Sequence, residues 1–337
     1  MQKTISFKRV LQQLKADLIG KDSHRGITLT YAWLANQFGH ISLGFIPSYL
    51  LFACFNLSAV KSAIYVSLFW FLFELYNFLG PLLSKKEKYI FKPQWLNLGF
   101  DTFTDVCFFT LGSIFFVLTI LCFTNKIILF ILAILSVYLC FASRYWFVTK
   151  MYQFYAKFPF QFRLSQWDFK MNTNDKLKVD NFLESSINDG NQLLIYGDFG
   201  SGKTSLGVGI LNELSIKNNS CLYKSGIKMF NSFFDDEDDI KSYELWNWKT
   251  TNFLMIDDIN PSKPIEGELI SPQKLLSFID TQKPENSKNR ALLKSKNIIW
   301  VLGSKQNLDK SSKDEWKQML IKIGITKNRI SIINLEN

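Results

Sequence analysis

The chain has 337 residues, room for two domains, and a formal charge of +10. That charge is uneven: residues 1–150 carry 14 Lys and Arg against 6 Asp and Glu, and residues 151–337 carry 25 against 23, which argues against a polyanion-binding face on the second half. Five cysteines without a CxxC pair, beside only two histidines (His24 and His40), argue against a zinc or disulfide framework.

In chain order, residues 5–19 place Phe7, Val10, Leu11, Leu14 and Leu18 at helical spacing, with Lys8, Arg9 and Lys15 elsewhere around the helix. Such an amphipathic helix suits an anionic membrane surface or the face of a soluble domain. Four apolar runs follow at 33–56, 62–83, 104–124 and 127–147, each near the length that a bilayer core requires. No small-residue cleavage site follows a short apolar core, so a signal peptide is the weaker reading. Lys3, Lys8, Arg9, Lys15, Lys21 and Arg25 precede the first run. Lys85, Lys86, Lys88 and Lys92 follow the second, and Arg144 and Lys150 end the fourth. The positive-inside rule then places both termini and the middle loop in the cytoplasm. Glu74 falls inside the second run near Asn77, and Asp101 and Asp105 open the third. A carboxylate in lipid marks a bundle-facing or pore-facing position, or a protonated group that joins helices.

The expected organisation is a cytoplasmic amphipathic segment over 1–30, four transmembrane helices over 31–147, a connecting segment over 148–175 and a nucleotide-binding domain over 176–337. Residues 176–188 read as a helix. Gln192–Tyr196 reads as a buried strand that ends at Gly197, and Lys203-Thr204-Ser205-Leu206 opens a helix. Between them, Gly197-Asp198-Phe199-Gly200-Ser201-Gly202-Lys203-Thr204 has the form of a P-loop in its required strand–loop–helix setting. Its glycines let backbone N–H groups turn toward phosphates at a helix N-terminus, with Ser205 completing the segment. Lys203 is expected to reach the β- and γ-phosphates of ATP, and the Thr204 hydroxyl to bind Mg²⁺.

A second element, Phe253-Leu254-Met255-Ile256-Asp257-Asp258, is an apolar strand that closes on two acids. Asp257 suits the Mg²⁺ shell, and Asp258 suits the task of polarising an attacking water, with a turn cap as its competing role. The run Asp235-Asp236-Glu237-Asp238-Asp239 reads as a solvated loop. A third strand, Asn297–Leu302, ends in Gly303-Ser304-Lys305, and Ile330–Ile333 reads as a last strand.

Together, Gly197–Ser205, Met255–Ile259 and Ile298–Ser304 resemble the AAA+ ATPases, and within them the helicase-loader, transposition-helper and replication-initiator types. The resemblance covers about 176–335. It implies an α/β P-loop NTPase fold, a parallel sheet in the order 5-1-4-3-2 with helices on both faces, joined here to an α-helical transmembrane domain. It further implies that Ser304 senses the γ-phosphate at a strand tip, with Lys305 and Asn307 close behind. No helical lid is expected after the last strand, because the chain stops at Asn337, so the usual second sensor arginine has no host. Arg290 and Arg329 are the candidate trans-acting fingers.

These readings converge on a membrane-anchored, Mg²⁺-dependent ATPase, with defence or stress signalling as one candidate task. Membrane lipid, a homo-oligomer and an unidentified protein are its expected partners. The alternatives are an ATP-dependent scaffold with little turnover, motivated by Asp at 258, and a membrane-tethered, superfamily 3-like helicase or nucleic-acid remodeller. Nucleic acid is the disfavoured partner because the second half is nearly neutral.

Overall fold

A computed structural model describes residues 5–19, 27–83, 90–232, 244–259, 271–279, 284–303 and 310–335. Ser304, Lys305, Asn307 and the acidic run Asp235–Asp239 lie outside the described residues. The chain divides into two compact units, one of residues 5–88 and 93–150, the other including residues 89–92 and 151–337.

In the helical unit, α1 (Phe7–Leu18) starts where the Ser6 side chain accepts from the Arg9 amide, a cap that satisfies an otherwise orphaned donor. Val10 is buried while Phe7, Leu11 and Leu18 are exposed. Asp17 accepts from the Thr30 amide at 3.1 Å and its hydroxyl at 2.6 Å, which ties α1 to the start of α2 (Leu29–Phe55). Then come α3 (Ala59–Leu83), α4 (Trp95–Ile120) and α5 (Lys126–Tyr155). All four are long and apolar enough to cross a membrane.

All four long helices run beyond the predicted runs, α4 and α5 the furthest. α4 begins nine residues before the expected 104, because Asn97, Gly99 and Asp101 interrupt the apolar run without breaking the helix. α5 continues past 147 through Phe154 and Tyr155, residues expected to belong to the connecting segment.

α2 and α4 approach through paired glycines. A Cβ on Gly44 would lie 1.9 Å from the Phe109 carbonyl oxygen, and one on Gly112 would lie 1.9 Å from that of Ile41. Ser48 and Ser113 sit at the same crossing, where Ser113 Oγ donates to the Gly44 carbonyl at 3.2 Å and Ser48 Oγ lies 3.3 Å from Ser113 Oγ. Small residues that admit a close backbone approach are how helices associate where the surroundings are as apolar as the side chains. The Trp70 ring stacks on Phe109 at 4.4 Å and its Nε1 donates to the Leu43 carbonyl at 2.8 Å, which brings α3 to the same crossing.

The second unit is a five-stranded parallel sheet in the order β2-β3-β4-β1-β5, the predicted 5-1-4-3-2 read from the other edge. Its elements in chain order are α6 (Thr173–Leu183), β1 (Gln192–Gly197), α7 (Lys203–Ile216), β2 (Cys221–Ser225), α8 (Gly226–Ser232) and β3 (Phe253–Asp257). After these come α9 (Pro272–Ile279), α10 (Pro284–Ser295), β4 (Asn297–Gly303), α11 (Lys310–Ile323) and β5 (Ile330–Leu335). β1 and β3 are buried at every position, as central parallel strands covered on both faces must be, and therefore read as unbroken apolar runs. The core gathers Leu193 and Ile195 of β1, Leu206, Ile210 and Leu214 of α7 and Met255 of β3. Phe91 joins that core at 4 % exposure, edge-on to Trp167 at 6.2 Å, although it lies between α3 and α4 in sequence.

Candidate functional site

Register decides where the site lies. Gly197, the last residue of β1, is level with Gly303 of β4 and Leu335 of β5, and Asp257 of β3 is level with Ser225 of β2. The predicted motifs thus collect at the C-terminal ends of parallel strands, where open α/β sheets place their ligands.

The loop from Gly197 to α7 turns through Gly200 (φ 81°) and Gly202 (φ 79°), backbone values that strain any residue with a Cβ. Gly202 serves as the N-cap of α7, so the free amides of the first helical turn face the loop and favour an anion. Lys203 Nζ donates to the carbonyls of Gly197 at 2.7 Å and Asp198 at 2.6 Å. Burial lowers its pKa, against the nearby charges of Asp198 and Asp257, which raise it. The Ser205 hydroxyl donates to the Gly202 carbonyl at 2.9 Å. Phe199, at the crest of the loop, is 85 % exposed.

The Thr204 side chain lies near the Asp257 carboxylate and lowers its pKa. Asp257 is 2 % exposed. It accepts the Asp258 amide at 2.9 Å and the Tyr223 hydroxyl at 3.3 Å. Burial is the largest influence on its pKa and raises it, while the Asp258 amide and the neighbouring Thr204 and Tyr223 hydroxyls pull it down. Asp258 is exposed and adopts a left-handed φ of 52°, which turns the chain sharply as β3 ends.

These residues fit Mg²⁺ and a polyphosphate. A hydroxyl and a neighbouring carboxylate, Thr204 and Asp257, form the hard oxygen set that Mg²⁺ takes at phosphate sites. The Ser201 hydroxyl is buried in the loop with no hydrogen-bond partner among the described residues, a donor of the kind a phosphate oxygen satisfies.

Two aromatics that local patterning did not single out complete the loop's surroundings. Trp167 Nε1 donates to the Gly202 carbonyl at 3.0 Å, and a Cβ on Gly202 would lie 2.5 Å from the Phe169 ring. Both belong to the segment expected to be a simple connection; the only sequence signal was their aromatic character. The same stretch is anchored on α7, where Arg163 Nε contacts Glu213 Oε1 at 3.1 Å and Asn212 Nδ2 donates to the Phe162 carbonyl at 2.8 Å.

The candidate fingers lie elsewhere. Arg290 donates to the Ile323 and Lys322 carbonyls at 3.1 and 2.6 Å, capping the end of α11. Arg329 neighbours Gly190 just ahead of β1, at the opposite end of the sheet from the P-loop.

No family model matches this sequence, and no curated protein matches it. Among solved structures, the DnaC helicase loader is similar at 18 % identity and a TM-score of 0.36, over 51 % of this chain and 95 % of that one. DnaI is similar at 15 % identity and a TM-score of 0.32, over 52 % of this chain and 89 % of that one. At these scores the likeness is distant, and the reading that follows rests on the residues of the site.

Proposed function

We propose that the chain is a membrane-anchored, Mg²⁺-dependent ATPase of the AAA+ type, whose nucleotide-binding unit faces the cytoplasm. The observation that carries the ATPase reading is the proximity of Thr204, in the first turn of α7, to Asp257 at the end of β3, close enough to lower the pKa of that carboxylate, at the sheet end where the Lys203 loop lies. In the proposed mechanism the amides of Gly200–Lys203 and the Lys203 ammonium bind the β- and γ-phosphates. Thr204 and Asp257 hold the metal. Bound there, Mg²⁺ supplies charge neutralisation at the phosphates. Asp258 orients the attacking water, and Ser304 senses the γ-phosphate. The four long apolar helices and the basic flanks at both ends support the anchored, cytoplasm-facing arrangement.

Purified protein should release phosphate from ATP in the presence of Mg²⁺, and Lys203→Ala should lower that rate by about 10²-fold or more, the scale of losing one preorganised charge. A rate indifferent to Lys203 would overturn the assignment. Membrane anchoring is tested separately, by whether the chain resists alkaline carbonate extraction.

A second reading, an ATP-dependent scaffold with little turnover, is favoured by one feature. Asp258 has a shorter side chain than the glutamate usual at this position, and its left-handed backbone fixes where that short carboxylate can reach. Tight ATP binding with negligible phosphate release in every oligomeric fraction would select it. Stimulation of the rate by single-stranded DNA or RNA would instead select the helicase-like alternative.

A further inference from the structure

A cavity of about 430 Å³ lies within the helical unit, lined by α2, α4 and α5. Each helix contributes a stripe at helical spacing. Trp33, Asn36, Gln37 and His40 of α2 follow one another at steps of three, one and three, so they share a face. Asp101, Thr104 and Asp105 do the same on α4, and Ser143, Trp146 and Lys150 on α5. Three helices otherwise rich in Phe, Leu and Ile thus turn their polar residues into one space. In an apolar setting such residues mark a functional position.

The wall is set by contacts of its own. Trp146 Nε1 lies 3.3 Å from Thr104 Oγ1, and Thr104 donates to the Phe100 carbonyl at 2.7 Å. The Phe100 ring stacks on Trp146 at 5.4 Å. His40 Nδ1 lies 3.1 Å from Asp105 Oδ1, close enough for electrostatic attraction, although without the alignment of a hydrogen bond. The start of α2, the start of α4 and the Lys150 end of α5 carry the basic flanks, so this is the cytoplasmic end in the charge-based orientation. Leu29 and His40 both line the space, and eleven residues of helix separate them by about 16 Å. Lys150 and Asp101 stand toward the helix ends, with Asp105 and His40 one turn or more deeper.

We propose that this cavity binds a zwitterion that joins a primary ammonium to a phosphate diester, the chemistry of an ethanolamine phosphate headgroup. The volume falls within the roughly 300–1,000 Å³ of small-molecule sites and far exceeds what a bare cation fills. Two carboxylates one turn apart on α4, in a cavity that Trp33 and Trp146 also line, suit an ammonium through charge-assisted hydrogen bonds and cation–π attraction. Lys150 at the outer end suits the phosphate. Such a ligand is available from two sources, a bilayer lipid or a soluble diester.

The inference rests on the membrane reading above, and carbonate extraction tests that reading on its own. To test the site, the full chain in a maltoside detergent is titrated with glycerophosphoethanolamine and with dioctanoyl phosphatidylethanolamine. Saturable binding is expected. It should weaken about tenfold in Asp101→Asn/Asp105→Asn and in Lys150→Gln, the scale of one lost charge-assisted hydrogen bond. Comparable affinity for both probes assigns a soluble source, and binding of the lipid alone assigns the bilayer. A second measurement does not depend on those variants: alkylation of Ser143→Cys by a small maleimide should slow when the bound probe is present. A membrane-retained chain that binds neither probe overturns this inference alone. So does an affinity unchanged by the Asp substitutions, or alkylation that neither probe slows.

Discussion

In the sheet unit every residue of β1 and β3 is buried. In three of the four long helices, only 11 % of the most apolar 18-residue stretch is buried within the protein, against 56 % for α4. The two regions use the same residue types, yet the first buries them within the chain and the second leaves most of them outward. Apolar side chains are stabilised by leaving water, at about 25 cal/mol per Å². Helices α2, α3 and α5 keep most of that surface outward, as helices long and apolar enough to cross a membrane would. α4 is the exception because it packs against both α2 and α3 and forms the centre of the helical unit. The sheet unit should therefore respond to cavities in its core, and the helical unit to the closeness of its helix crossing.

The largest expected effect tests where the boundary between these regimes falls. Phe91 lies between two apolar helices in sequence but is buried in the sheet unit's core. Phe91→Ala should cost that unit about 3–5 kcal/mol, the range for emptying a large core site. The midpoint of denaturation, followed through loss of ATP binding, measures it. A small shift would mean that Phe91 belongs to the helical regime after all.

The converse test overfills the helical unit. Gly44→Leu must displace the Phe109 carbonyl, only 1.9 Å from the new Cβ, at a cost of about 1–3 kcal/mol or more. Thermal unfolding in detergent should fall accordingly while ATP affinity stays at the parent value. Unchanged melting would show that the α2–α4 crossing is looser than the paired glycines imply.

A smaller effect sharpens the sheet side through pH. Lys296 is 5 % exposed and donates Nζ to the Thr251 carbonyl at 2.5 Å, and burial pushes its pKa down to about 8. The unfolded lysine titrates near 10.4, so between these values the unfolded chain holds a proton that the folded chain has released. Stability must therefore rise with pH across that window, at no more than about 1.4 kcal/mol per pH unit, and gain nothing from this group below pH 8. The difference in denaturation midpoint between the parent and Lys296→Met, followed from pH 7.5 to 10, isolates it. A constant difference would show that the folded and unfolded states hold this proton alike.

The contrast also explains what was legible in the sequence. Strands β1, β3, β4 and β5 were readable to within two residues: β1, β3 and β4 are apolar runs ending at a glycine or an acid, and β5, only half buried, still carries three isoleucines in four residues. The P-loop was readable because its glycines and Lys203 are adjacent in the chain. The start of α4 at Trp95 and the end of α5 at Tyr155 were not, since hydropathy marks the apolar stretch and a helix can outlast it. Phe91, Trp167 and Phe169 were invisible for another reason: their roles depend on partners far away in sequence, and an aromatic residue in a loop has no periodicity to betray it.

Tyr223 is the subtlest case, because its contribution is a hydrogen bond and not a cavity. It sits on β2, and its hydroxyl donates to Asp257 Oδ2 at 3.3 Å. Burial raises its pKa, and the neighbouring Asp257 and Asp258 charges raise it further, so it remains a donor throughout the neutral range. Such a bond lowers the Asp257 pKa, which burial raises, and it orients the carboxylate proposed to hold Mg²⁺. Tyr223→Phe keeps the ring and removes the donor, at about 1 kcal/mol or roughly a fivefold effect. The half-saturating Mg²⁺ concentration for phosphate release should rise by that factor. With Asp257 more readily protonated, the deficit should widen as pH falls, because proton and metal compete for the same oxygen. A ring that serves only to fill space would leave the Mg²⁺ dependence where it was at every pH.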